Sequence, residues 1–122
     1  MNNHNNRPSI SLPIVALDAS KVLPVLIADK KMKILSAKYV QEGVITASGV
    51  NYLALQLKVD NVAHGAAVDT QAGVAARTAL PLSLSSLVLE AGEYLSLDVA
   101  ETGTFTEGTD AILVLDCEIV GN

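Results

Sequence analysis

The spacing of aliphatic residues in segment 51–60 constrains the fold more than any other feature of the sequence. Aliphatic side chains occupy every second position from 53 to 59, and mostly more polar residues stand between them. Successive side chains of a β-strand point to opposite faces, so this period of two is typical of a strand with one buried face. We therefore predict a half-buried strand with Leu53, Leu55 and Leu57 in the core.

The same alternation recurs in two later segments, 95–99 and 111–120, while no long stretch follows the helical period of 3.6. Seven leucines are predicted to lie in the core: Leu53, Leu55, Leu57, Leu95, Leu97, Leu113 and Leu115. Turn-forming residues separate the apolar segments at short intervals, a pattern typical of sandwiches and barrels. The sequence predicts an all-β fold, an antiparallel β-sandwich that is jelly-roll-like with about eight strands.

The remaining segments are assigned by the same criteria. Three further strands are predicted over 9–17, 22–28 and 32–41. Segment 61–73 contains two glycines and is predicted to be a long loop. A strand is predicted over 74–80, although its alanine-rich start could instead be a helical turn. The alternation of leucines slips by one position at Ser85 and Ser86, which predicts a bend or bulge.

A chain of 122 residues suits one domain and is too short for two well-packed cores. We divide it into a polar N-terminal arm, residues 1–8, and a single β-sandwich domain, residues 9–122. The arm lacks the apolar core of a signal peptide, so we expect synthesis in the cytoplasm without export by a cleaved signal. No apolar run is long enough to cross a bilayer, and we expect no membrane partner.

The arm is predicted to contact a neighbouring protein, because ordering a polar segment must be offset by hydrogen bonds to a surface. Asparagine side chains both donate and accept such bonds. The arm residues predicted to bind a partner are Asn2, Asn3, Asn5, Asn6 and Arg7.

Charge argues against nucleic acid as a partner. The formal net charge is −5, and a negative protein repels phosphate. The only basic cluster, Lys30, Lys31 and Lys33, stands beside Asp29 and is typical of a solvated turn.

Reactive side chains are sparse. The two histidines, His4 and His64, fall in the arm and in the predicted loop, so the domain cannot supply the paired histidines of a cupin metal site. Cys117 stands between Asp116 and Glu118, whose charges raise a thiol pKa, and its apolar setting is typical of a buried residue. We expect no catalytic activity.

Common ligand motifs are also absent from the sequence: it has no phosphate-binding loop, no dinucleotide fingerprint and no cysteine-based zinc spacing. Asp60, Asn61 and Asp69 could meet around a calcium ion, but their spacing matches no compact calcium loop and ordinary loop polarity explains them. We expect no cofactor and no metal.

Four positions on outward faces are predicted to bind a partner. Tyr52 and Tyr94 oppose the leucine stripes of their strands, and tyrosine is enriched at protein interfaces, where Tyr39 could also lie. Ile112 and Val114 lie opposite the inward leucines of the last strand, so this strand is apolar on both faces at one end. We expect a second copy of the chain or a loop to cover that end.

One stretch resembles a known class of proteins. The segment Leu89-Glu90-Ala91-Gly92-Glu93-Tyr94-Leu95-Ser96-Leu97-Asp98-Val99, the loop 101–104 and the final strand 111–120 are similar to a hairpin region of small jelly-roll decoration (cement) proteins and related head or tail proteins of tailed bacteriophages. The resemblance covers roughly residues 20–120 as a pattern. It implies homo-oligomers, often trimers, bound to the outside of a capsid lattice, and it implies no catalytic residues.

From this resemblance we expect a virion structural protein, a capsid decoration protein that stabilises the particle. Its expected partners are copies of itself in a homotrimer and the major capsid protein or another virion protein. It would be made in the host cytoplasm and reside in the virion. The alternatives are a receptor- or glycan-binding sandwich of a phage tail or head fibre, which the scarcity of aromatic residues disfavours, and an enzyme or metal-binding jelly roll.

Overall fold

The computed structural model describes residues 8–84 and 87–120, and all of its regular secondary structure is β. The strands in this part of the chain are β1 Ser9–Ile14, β2 Lys21–Ile27, β3 Met32–Gln41, β4 Tyr52–Val59, β5 Val62–Asp69, β6 Ala79–Pro81, β7 Val88–Leu89, β8 Tyr94–Thr102 and β9 Ala111–Ile119. The predicted all-β fold is confirmed. Within the same residues, no helix is long and apolar enough to cross a membrane.

Two antiparallel sheets pack face to face. The first sheet has the order β1-β9-β3-β6, with β7 also paired to β3, and the second has the order β2-β8-β4-β5. Strands β6 and β7 pair with opposite ends of β3 and together make one interrupted edge strand. When β6 and β7 are counted as one strand, eight strands form two sheets of four. The chain passes from one sheet to the other at every connection except the β4–β5 hairpin. This is the jelly-roll arrangement.

The core lies between the inner faces, where the alternation placed it. All seven leucines predicted for the core are at most 1% exposed. Cys117 is buried among them, as predicted. Burying a leucine side chain stabilises a fold by roughly 1.5–3 kcal/mol, so these positions hold the two sheets together.

The prediction of a long loop over 61–73 was wrong, because β5 occupies most of it. Asp60 and Asn61 form a two-residue hairpin with positive φ angles of 48° and 70°. Positive φ at both central positions matches the right-handed twist of paired strands, and Asp and Asn tolerate it better than most residues. Alanine and glycine are poor strand formers, which hid β5 in the sequence.

The predicted strand over 74–80 was mostly wrong. Only its last two residues belong to β6, and Val74 forms an isolated bridge to Ile45. A short turn follows this bridge, and the backbone N–H of Arg77 donates to the carbonyl of Gln41 at 2.8 Å.

The predicted bulge falls on Ser85 and Ser86, which lie outside the described residues. The register on either side can still be read. On one side Pro81 of β6 pairs with Lys38, and on the other Val88 of β7 pairs with Lys33.

The predicted arm contacts at Asn2, Asn3, Asn5, Asn6 and Arg7 also lie outside the described residues. Pro8 is the first of the described residues, and its carbonyl accepts a hydrogen bond from the backbone N–H of Cys117 at 3.0 Å. This bond extends the pairing of β1 with β9 by one step.

Candidate functional site

A continuous apolar row crosses the outer face of the first sheet. Pro13 pairs with Ile112 across β1 and β9, Ile112 pairs with Val40 across β9 and β3, and Val40 pairs with Ala79 across β3 and β6. These four residues, hereafter the apolar row, come from four strands. Ile112 is 39% exposed although it lies on a central strand.

Polarity increases along the sheet away from the apolar row. The next row includes Val114, which is half-buried between Ser11 and Lys38. In the row beyond it, the Ser36 hydroxyl donates to the Asp116 carboxylate at 2.8 Å. The continuous apolar row therefore lies at one end of the sheet, and Leu35 of β3, 39% exposed, is a separate apolar side chain nearer the other end.

A shallow depression of about 380 Å³ borders the apolar row. Its lining residues are Val40, Gln41, Glu42, Arg77, Asp110, Ala111 and Ile112. At its rim an Arg77 nitrogen lies 2.9 Å from Glu42 Oε2, and both side chains are about two-thirds exposed, at 69% and 65%. An ion pair this exposed contributes little to stability, so both groups remain available to a partner.

A buried polar pair holds the strand end beneath this depression. The Tyr39 hydroxyl donates to Gln41 Oε1 at 2.7 Å, and Gln41 Nε2 donates to the Glu107 carbonyl at 2.8 Å. Burial raises the pKa of Tyr39 to about 12. Tyr39 is 1% exposed, so the idea that it lies at an interface was wrong.

Gln41 was not among the residues predicted from the sequence, although its position on β3 was informative. It stands in phase with the inward residues Ala37 and Tyr39, and an inward polar residue is informative because it needs a buried partner. Here the partner is Tyr39, and the bond to Glu107 ties β3 to the loop before β9.

The two tyrosines predicted at the interface lie on the other outer face. Tyr52 pairs with Thr102 at one end of the second sheet, and Tyr94 pairs with Ile27 at the opposite end. Both are half-buried. The structure therefore brings the predicted residues Ile112 and Val114 together on the first sheet and separates them from both tyrosines.

The outer face of the second sheet is polar at its centre. Lys58 Nζ lies 3.3 Å from Asp98 Oδ2, with both side chains somewhat over a quarter exposed. Ser96 pairs with Lys58 and Pro24 in register and is fully buried; its hydroxyl has no hydrogen-bond partner among the described residues.

Groups with catalytic or metal-binding chemistry do not converge. In residues 8–84 and 87–120 no three His, Cys, Asp or Glu side chains are grouped so as to hold a metal ion. Asp60 and Asn61 form the β4–β5 turn, whereas Asp69 is the last residue of β5. The three residues considered as calcium ligands are therefore separated by the length of that strand. His64 is half-buried on β5 opposite Leu57, not in a loop.

The single thiol is placed where it reacts poorly. Burial, and then the charge of Asp116, raise the pKa of Cys117 above its ordinary value. A thiol needs its thiolate form to act as a nucleophile or metal ligand, so both effects work against reactivity.

No protein-family model, no curated protein and no solved structure matched the chain. The class of protein therefore rests on the fold and its surfaces. The chain is an antiparallel jelly-roll sandwich whose most distinctive outer feature is the apolar row.

Proposed function

We propose that this chain is a structural protein of a virus particle, a capsid decoration protein that assembles as a homotrimer and binds the outer shell. The observation that carries the proposal is the apolar row on the first sheet. A partner that covered Ile112 and Val40 would remove exposed aliphatic surface from water, which favours association.

The position of the row supports an interface. In antiparallel sandwiches one face of each sheet packs on the core and the other is normally polar, so an apolar row on the outer face calls for a covering surface. The row lies over the central strands β9 and β3, and the ion pair of Arg77 and Glu42 stands at its rim. An apolar centre with a polar rim that includes arginine is the usual composition of a protein interface.

The shell-binding part of the proposal has further support. The resemblance of the segment 89–99 to decoration proteins supplies the class of partner. The described residues contain no convergent reactive or metal-binding group, which fits a structural role. The polar arm offers a second contact, through which one molecule would bridge neighbouring shell subunits.

The receptor- or glycan-binding alternative has one observation in its favour. A groove of about 310 Å³ at the loop end is lined by hydroxyl, amide and carboxylate groups, including those of Asn51, Thr104 and Glu107. However, the Glu107 carboxylate already accepts hydrogen bonds from Thr46, and Asn51 Oδ1 accepts one from the backbone N–H of Thr104. The chain's four aromatic residues are all buried or half-buried, which leaves little stacking surface for a sugar.

The assembly is tested by replacing Ile112. Ile112→Lys places a charge in the centre of the proposed interface, where its desolvation is costly, so trimers should dissociate to monomers in light scattering at micromolar concentration. Ile27→Lys is the matched control: Ile27 is 67% exposed on the outer face of the second sheet, and its replacement should leave the trimer intact. A wild-type monomer would contradict the proposed assembly.

The shell contact is tested separately with virus shells stripped of their outer proteins. The full-length chain should cosediment with such shells to a fixed occupancy and raise their melting temperature. Trimers that bind no shell, including shells purified from the organism that encodes the chain, would contradict decoration and favour the receptor-binding alternative.

A further inference from the structure

A second apolar feature lies between the sheets, on the side where β1 and β2 form the two sheet edges. The lining of a cleft of about 330 Å³, hereafter the inter-sheet cleft, includes Leu12, Pro13, Lys21, Leu23, Pro24 and Val25. Its size is at the lower end of the range of small-molecule sites, roughly 300–1,000 Å³. Leu97 and Leu113 are at most 1% exposed, so they form the floor on which the cleft ends.

The edges of the cleft are unsuited to covering by another strand. Pro13 on β1 and Pro24 on β2 lack the backbone N–H that an added strand would need. The register of β2 shifts between Pro24 and Leu26, and the intervening Val25 is only 9% exposed and lines the cleft. The cleft is therefore open to a small apolar molecule rather than to an extended peptide paired at the edge.

One cation stands in this aliphatic lining. Lys21 pairs in register with the buried residue Val99, which places it on the inward side of β2, and it is half-buried. Within the described residues no carboxylate lies within ion-pair distance of its ammonium group. An inward lysine without an anionic partner leaves a positive charge to be balanced at the wall of an apolar cleft.

We propose that the inter-sheet cleft binds a free single-chain aliphatic carboxylate, a medium-chain fatty acid. The carboxylate accepts a charge-assisted hydrogen bond from Lys21 Nζ, and the alkyl chain lies against Leu12, Leu23 and Val25. Each methylene that leaves water raises the affinity by about fourfold. The net charge of −5 repels anions at long range, so a preference for the carboxylate must come from the local cation.

The test compares decanoate with decanol, which has the same chain length and no charge. In calorimetric titration below the micellar concentration, the full-length protein should bind decanoate at least tenfold more tightly than decanol. Lys21→Met keeps the aliphatic stem and should bring decanoate to the affinity of decanol. Lys30→Met, at an exposed lysine of the β2–β3 turn, should leave both affinities unchanged.

Two outcomes overturn the proposal in this titration. Absence of saturable decanoate binding removes the site, and equal affinity of wild type and Lys21→Met for decanoate removes the carboxylate contact. Leu23→Trp should fill the cleft and abolish binding of both ligands. Since that variant could fold poorly, its melting temperature is compared with that of the wild type, and the lysine variants carry the test independently.

The position of the ligand is checked by methyl NMR of the wild-type protein. Decanoate should shift the methyl signals of Leu12, Leu23 and Val25. Shifts centred on Ile112 would place the ligand on the apolar row and contradict the proposal. If the protein binds no monomeric decanoate but floats with phosphatidylglycerol vesicles, its partner is a lipid surface. That result would also contradict the proposed fatty-acid site.

Discussion

The outer faces of the two sheets differ, although their inner faces are built alike. On the outer face of the second sheet, every row that crosses at least three strands contains a polar residue. Asp98 lies between Val22 and Gln56. Ser96 and Lys58 lie beside Pro24 and Ala63, and Asp69 lies in the row of Ala54 and Ala100. The first sheet instead has the wholly apolar row of Pro13, Ile112, Val40 and Ala79.

This difference separates folding from association. Inward leucines on both sheets account for the stability of the domain, and any sandwich needs them. An outward row of aliphatic residues contributes little to the isolated domain, because it remains partly in water. We therefore attribute the inner faces to the fold and the outer face of the first sheet to partners.

The largest expected effect tests the equivalence of the inner faces. Leu97→Ala in the second sheet and Leu115→Ala in the first should each lower the free energy of unfolding by about 2–5 kcal/mol in urea denaturation, because both remove fully buried methyl groups. Val22→Ala, at a side chain 53% exposed, should change it by about 0.5 kcal/mol or less. If the free energy of unfolding fell only slightly for one of the two leucine variants, the two sheets would contribute unequally to the core.

The next effect concerns the polar pair inside the first sheet. The folded-state pKa of Tyr39 is raised from 10.0 to about 12, so the neutral phenol is favoured by folding. Its contribution is fully present below pH 10, falls as the pH rises above 10 and is lost above about pH 12, at about 2–3 kcal/mol in total.

Tyr39→Phe should remove this part of the alkaline destabilisation. At neutral pH it should cost about 1–3 kcal/mol, because Gln41 Oε1 loses its donor. Urea midpoints of wild type and variant, measured from neutral pH to about pH 12, check both expectations. Parallel curves over the alkaline range would mean that folding does not raise the pKa of Tyr39.

Smaller effects are expected on the outer faces. Asp98→Ala removes the ion pair with Lys58 on the second sheet, and Asp116→Ala removes the hydrogen bond from Ser36 on the first. Each should lower the free energy of unfolding by about 1 kcal/mol or less, because both sites are partly solvated. A loss of more than about 2 kcal/mol at either position would show that the outer faces carry stability as well.

The smallest effect on stability is expected at the arm. Deletion of residues 2–7 keeps Pro8, whose carbonyl bonds to Cys117, so the unfolding midpoint should be unchanged. The predicted loss is in binding: occupancy on stripped shells and the melting temperature of the particle should both fall. Full occupancy by the truncated chain would leave the first sheet as the sole candidate contact.

Several elements could be read from the sequence because their signals are local. The core leucines of β4, β8 and β9 follow from the period of two, which is a property of the extended backbone itself. The strand β5 could not be read, because its alanines and glycine carry little strand preference and it is held by pairing with β4. The prediction at 74–80 failed for the converse reason: apolar residues are present, but only Ala79 and Leu80 meet a neighbouring strand.

The candidate site was also predicted in part. Ile112 and Val114 follow from the outward phase of β9, whereas Val40, Pro13 and Ala79 join them only through strand pairing. Arg77 gave no local motif, since it acts through a turn. The inward phase of Gln41 was a local signal, but its bond to the Glu107 carbonyl joins residues far apart in the chain and appears only in the fold.

The sequence by itself determined which residues of the clear strands face inward, because side-chain direction alternates within each strand whatever its neighbours are. Only the tertiary structure decided which outward residues meet. Pro13 and Ile112 stand near opposite ends of the chain, and their contact depends on the register of β1 against β9. The inter-sheet cleft arises in the same way, from two edge strands that belong to different sheets, and Lys21 of β2 lines it. Register and sheet order are properties of the whole packed core, so the surfaces proposed to bind partners appear only once that core has formed.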